Sequence, residues 1–100
     1  MKSAKELYRR VIDHYGTENQ LFQLDEELAE LIKAVNKWRR NRGLAEKYPA
    51  YVGDVAEEIA DVEIMLDQLK IILNIYDTEI YDYKCRKLQR LRERLDEDRE

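Results

Sequence analysis

Two stretches of this sequence repeat apolar side chains at steps of three and four, and little within either would break a helix. The first holds Leu21, Leu24, Leu28, Leu31, Val35 and Trp38; the second holds Val55, Ile59, Val62, Leu66, Leu69 and Leu73. That spacing stacks side chains on one face of an α-helix, so each stretch carries a seam suited to packing against another helix. Three glycines and one proline leave few places to turn, and a composition rich in Leu, Ile, Glu, Lys and Arg favours helix over strand. The chain reads as all-α.

Breakers and capping residues divide it into four helices. The first is expected over residues 2–15, stopped by Gly16 as a left-handed cap. Thr17 with Gln20 has the form of a capping box opening the second helix, which runs to about residue 42, where Asn41-Arg42-Gly43 supplies a stop. Residues 44–53, with Tyr48, Pro49, Tyr51 and Gly53, are expected to form the one real loop, a wall or lid for a site between the flanking helices. Asp54 with Glu57 is a second, weaker capping box, heading a third helix that reaches residue 74. The chain then turns over 74–77, with no Gly or Pro to enforce it, and a fourth helix follows to about residue 95.

One hundred residues make a single domain with a limited core. The third helix is apolar beyond its seam, adding Ile64, Met65, Ile71, Ile72 and Ile75, and a helix apolar nearly all round must be buried nearly all round. Four short helices in one chain are too few to cover it, so dimerisation is expected to complete the core. The single cysteine, Cys85, excludes an intrachain disulfide and suits a reducing compartment. No apolar run approaches the ~20 residues of a membrane span, and the first ten residues lack the apolar stretch of a signal peptide, so a cytoplasmic protein without membrane contact is expected. A net charge of −4 argues against general nucleic-acid binding, which relies on neutralising phosphates.

Acidic residues recur at matching places beside the two seams. Glu26-Glu27-x-x-Glu30 lies on the first and Glu58-x-x-Asp61 on the second. Residues three or four apart share a helix face, so each cluster aims carboxylates in one direction. Glu27 and Glu30 precede the seam residues Leu28 and Leu31, and Glu58 and Asp61 precede Ile59 and Val62. Both pairs therefore sit at the same offset from their seams, beside the helix contact, where a site between helices can form. A charge run is ordinarily a solvated face. Converging carboxylates are also what Mg²⁺ takes, because it accepts a few of them, keeps several waters and completes its shell with phosphate oxygens. One histidine, His14, and one cysteine make no case for a zinc site or a Cys-His nucleophile.

The run from Gln20 to Val35, followed by Glu58-Ile-Ala-Asp61-Val with 27 residues between Glu30 and Glu58, resembles the MazG-like nucleoside triphosphate pyrophosphohydrolases. Their signature is EExxE, a variable spacer, then ExxD, and Glu26, Glu27, Glu30, Glu58 and Asp61 fill it. The likeness covers about residues 16–95. It implies a four-helix all-α bundle assembled as a homodimer or dimer of dimers, with Mg²⁺ held by the acids and Glu27, Glu30, Glu58 and Asp61 as its ligands. The implied reaction is NTP plus water giving NMP plus pyrophosphate. Tyr83-Lys84-Cys85-Arg86-Lys87-Leu88 looks like the basic stretch that follows the metal helices in that family, which offers Lys84, Lys87 and Arg86 as phosphate contacts.

The base is less determined. Trp38 and Tyr51 are candidates to stack on it and Gln20 to hydrogen-bond it, although Trp38 also belongs to the seam and Gln20 to a cap. Two other readings stand beside this one. A narrower specificity within the superfamily, for dUTP, dCTP or phosphoribosyl-ATP, fits the same acids. A non-catalytic helical dimerisation or adaptor module needs only the seams.

Overall fold

The computed structural model describes residues 3–43 and 48–99, and every regular element among them is an α-helix. In order they are α1 (Ala4–Tyr15), α2 (Thr17–Asn41), α3 (Tyr48–Leu73) and α4 (Asp77–Asp98). Residue 2, the expected start of the first helix, lies outside the described residues. α1 opens at Ser3, whose hydroxyl accepts the Glu6 N–H at 3.2 Å and satisfies one of the first-turn donors. Gly16 closes α1 and caps α2 at φ 90° and ψ 150°, a backbone region that only glycine adopts without strain and not the left-handed helical one.

Both expected capping boxes are corrected. Thr17 is already helical, Gly16 is the cap residue, and Gln20 turns inward to donate to Gln68 Oε1 of α3 at 2.7 Å. Asp54 does not open α3, because the helix begins at Tyr48 and absorbs residues 48–53 of the expected loop. Pro49 suits the first turn, where a helix needs no N–H from it. Residues 44–47 and the Tyr48 side chain lie outside the described residues.

The turn after α3 is built without glycine or proline. Asn74 takes φ 55°, the Ile75 N–H donates to the Lys70 carbonyl at 2.8 Å, and the Asn74 N–H to the Ile71 carbonyl at 3.2 Å. This pair of bonds is a Schellman closure, with asparagine in the left-handed position usually held by glycine. Lys70 Nζ bridges Asp67 and Asp77 at 3.0 Å each, which ties the end of α3 to the start of α4, and the Glu79 carboxylate accepts the Tyr76 N–H at 3.1 Å.

α2 and α3 run antiparallel, since Gln20 meets Gln68 while Glu27 meets Glu58, and α1 lies against both. Leu24, Val62 and Met65 are the buried apolar residues among those described, joined by the Gln20–Gln68 pair. The α2 seam faces inward except at Leu28. On α3 the seam splits: Val55, Val62 and Leu69 turn toward α2, while Ile59, Leu66 and Leu73 are exposed. Apolar residues on several sides of α3 leave periodicity unable to choose the stripe that faces α2.

α4 packs against none of the other helices, so three of the four form the packed unit within one chain. The accessible surface is 8436 Å², against about 6,000 Å² for a compact chain of this mass. The radius of gyration is 17.7 Å, against about 13 Å for a compact domain of this length. No helix among the described residues is long and apolar enough to cross a membrane.

Candidate metal centre

The antiparallel pairing of α2 and α3 sets the first acidic cluster beside the second. Glu27, Glu58 and Asp61 are half-buried, and each offers a carboxylate oxygen such that these atoms all lie within 4.8 Å of one another. Oxygens in an octahedral Mg²⁺ shell at about 2.1 Å stand about 3 Å apart when adjacent and about 4.2 Å when opposite. The 4.8 Å limit on their separations lies close to that span, so small side-chain rotations would close the cluster on a cation.

Each carboxylate is held differently. Glu27 Oε1 accepts from Gln23 Nε2, one turn earlier on α2, at 2.8 Å, which fixes the carboxylate's direction. Glu58 Oε2 is buried and has no hydrogen-bond partner among the described residues. Burial pushes the Glu58 carboxyl above its ordinary range, and the negative charges of Asp61, Glu27, Glu30 and Glu57 push it further the same way. A buried carboxylate oxygen with neither donor nor cation is costly. The five signature positions are therefore not equivalent. Glu30 lies near enough to repel Glu58 but is half-exposed and pairs with Lys33 at 3.6 Å, and Glu26 is exposed and outside the three-residue cluster.

Next to the cluster a cleft of about 520 Å³ runs between the helices, bordered by Glu30, Asp54, Glu57 and Glu58 and by the cations Lys33, Lys37 and Arg40 of α2. Sequence reasoning missed these cations and Gln23. Their steps of four and three along α2 were visible, but nothing in α2 alone places the α3 acids beside them.

The other candidates are more dispersed. Gln20 is buried in the helix interface on Gln68. Tyr51 is half-buried with Lys37 Nζ 5.7 Å from its ring centre, and Trp38 is half-buried with the Arg42 guanidinium at 5.9 Å. Lys84, Arg86 and Lys87 are exposed on α4 and do not reach the acidic cluster of their own chain; Arg86 lies over the Tyr83 ring at 4.9 Å. His14, in the last turn of α1, packs edge-on against Tyr15 at 4.7 Å. Cys85 is free and exposed. Compared with protein-family models, curated proteins and solved structures, the chain matches none.

Proposed function

We propose that this chain is a Mg²⁺-dependent nucleoside triphosphate pyrophosphohydrolase of the MazG-like kind, acting as a homodimer or dimer of dimers. The observation that carries the reading is the buried Glu58 Oε2, without a hydrogen-bond partner among the described residues, within a cluster of three carboxylates whose oxygens lie within 4.8 Å of one another. Glu27, Glu58 and Asp61 would hold the cation, with Glu30 beside them. The cation would screen the triphosphate from the carboxylates, polarise its oxygens and supply a bound water. Gln23 keeps Glu27 aimed at the cluster. Lys33, Lys37 and Arg40 border the same cleft and suit the remaining phosphate charge. Water adds to the α-phosphorus, the bond to the bridging oxygen breaks, and pyrophosphate leaves. The single unpaired cysteine fits a cytoplasmic setting.

The test is incubation with a panel of canonical and modified NTPs plus Mg²⁺, resolving NMP and pyrophosphate from NDP and phosphate. The expected products are NMP and pyrophosphate; NDP and phosphate, or no turnover of any nucleotide, would refute the reading. The panel also separates the narrower specificities for dUTP, dCTP or phosphoribosyl-ATP. A second reading, a non-catalytic dimerisation module, is favoured by the unpacked α4 and requires that no nucleotide turn over.

A further inference from the structure

The acidic cleft occupies one flank of the α2–α3 pair, and the opposite flank is apolar and open. Helical register puts Leu28 and Ile32 of α2 on that side with Val52, Ile59 and Leu66 of α3, and all five are exposed. Val52, Ile59 and Leu66 stand seven residues apart, as in a helix that receives another helix along its length. α4, meanwhile, beyond the Lys70–Asp77 ion pair at its first residue, packs against no helix of its own chain among the described residues. Its Tyr81, Leu88, Leu91 and Leu95 fall on one face at heptad-like steps, with Leu88, Leu91 and Leu95 51%, 50% and 63% exposed. Most helical stability in proteins comes from packing an amphipathic face, and the apolar face of α4 is left open.

We propose that the apolar groove is the seat of α4 from a second copy of this chain. The proposal rests on the homodimer reading above and specifies how that dimer is built. Three observations choose this occupant. The chain exposes about 2,400 Å² more than a compact chain of its mass, enough surface for two copies to bury an interface of the obligate size, about 2,000–5,000 Å². Pairing α4 with α4 would set basic on basic, since residues 84–94 hold six bases and one acid. The groove walls instead carry Asp25 and Glu63. Lys84 lies within the α4 stripe, between Tyr81 and Leu88, and a lysine buried there needs such a carboxylate.

Isotopically heavy and light full-length chains are mixed, allowed to exchange subunits, joined by a zero-length carbodiimide and digested, with light scattering run in parallel. A dimer is expected, with mixed-isotope peptides linking Lys84 or Lys87 to Asp25 or Glu63. Leu91→Glu with Leu95→Glu is expected to give a monomer that keeps α1–α3 helical. A monomeric wild type, same-isotope links only, links from α4 to α4, no α4 link at all, or a double variant that stays dimeric would each overturn the proposal. No readout involves turnover, so a wild type inert toward nucleotides would refute the enzyme reading and leave this one standing.

Discussion

Asp61→Asn is expected to lower nucleotide turnover by about a thousandfold or more, the scale lost when a group that positions charge at a reacting phosphate is removed. The fold should survive, because Asp61 is half-buried beside a cleft and takes no part in the Leu24, Val62 and Met65 core. Removing one negative charge relieves the repulsion on Glu58, so the metal-free variant should melt higher than the wild type. Glu58→Gln should behave alike, and Glu26→Gln far more mildly, since Glu26 is exposed and outside the cluster. Steady-state kinetics with thermal melting in chelator checks all three. A variant that loses its helicity would mean that Asp61 is structural.

Met65→Asp is expected to unfold the chain or cost about 3–5 kcal/mol, since it removes a buried apolar side chain and leaves an unpaired charge at the α2–α3 contact. Leu66→Asp, one residue on, should cost the fold of a single chain little and act on association instead, because Leu66 is 41% exposed. Denaturant unfolding by circular dichroism separates the two. Equal losses would contradict the inward-facing assignment of Met65.

The helix count and the broken end of α3 were legible because Gly16, Gly43 and the run after Leu73 act locally. Pro49 and Gly53 misled for the same reason: they resemble loop formers, yet a proline is harmless in a first turn and one interior glycine costs a helix only about 1 kcal/mol. The α3 seam was half right, since a helix apolar on several sides offers more than one stripe, and the choice depends on what α2 presents. The Gln20–Gln68 bond joins residues 48 apart and has no local signature. The carboxylates fared better. Glu27, Glu58 and Asp61 converge as their offset required, but Glu30 shares that offset and stays outside the three-residue cluster, paired with Lys33, and Glu26 lies about 100° around α2 from Glu27 and could not follow.

Thermal stability against pH, with and without Mg²⁺, tests the metal centre most directly. A carboxyl whose folded-state pKa lies above its unfolded value gives stability that is fully present below the unfolded value and lost as pH rises through the folded one. Glu58 is such a group, so in chelator its contribution should fade as pH climbs from its ordinary value of 4.5 through the raised one. At neutral pH, Mg²⁺ at about a hundred times its Kd should restore about 2.7 kcal/mol, roughly 10 °C or more in Tm for a domain of this size. Glu58→Gln should flatten the pH profile and abolish the Mg²⁺ response. The same melting temperature with and without Mg²⁺ at every pH would contradict a metal centre at Glu27, Glu58 and Asp61.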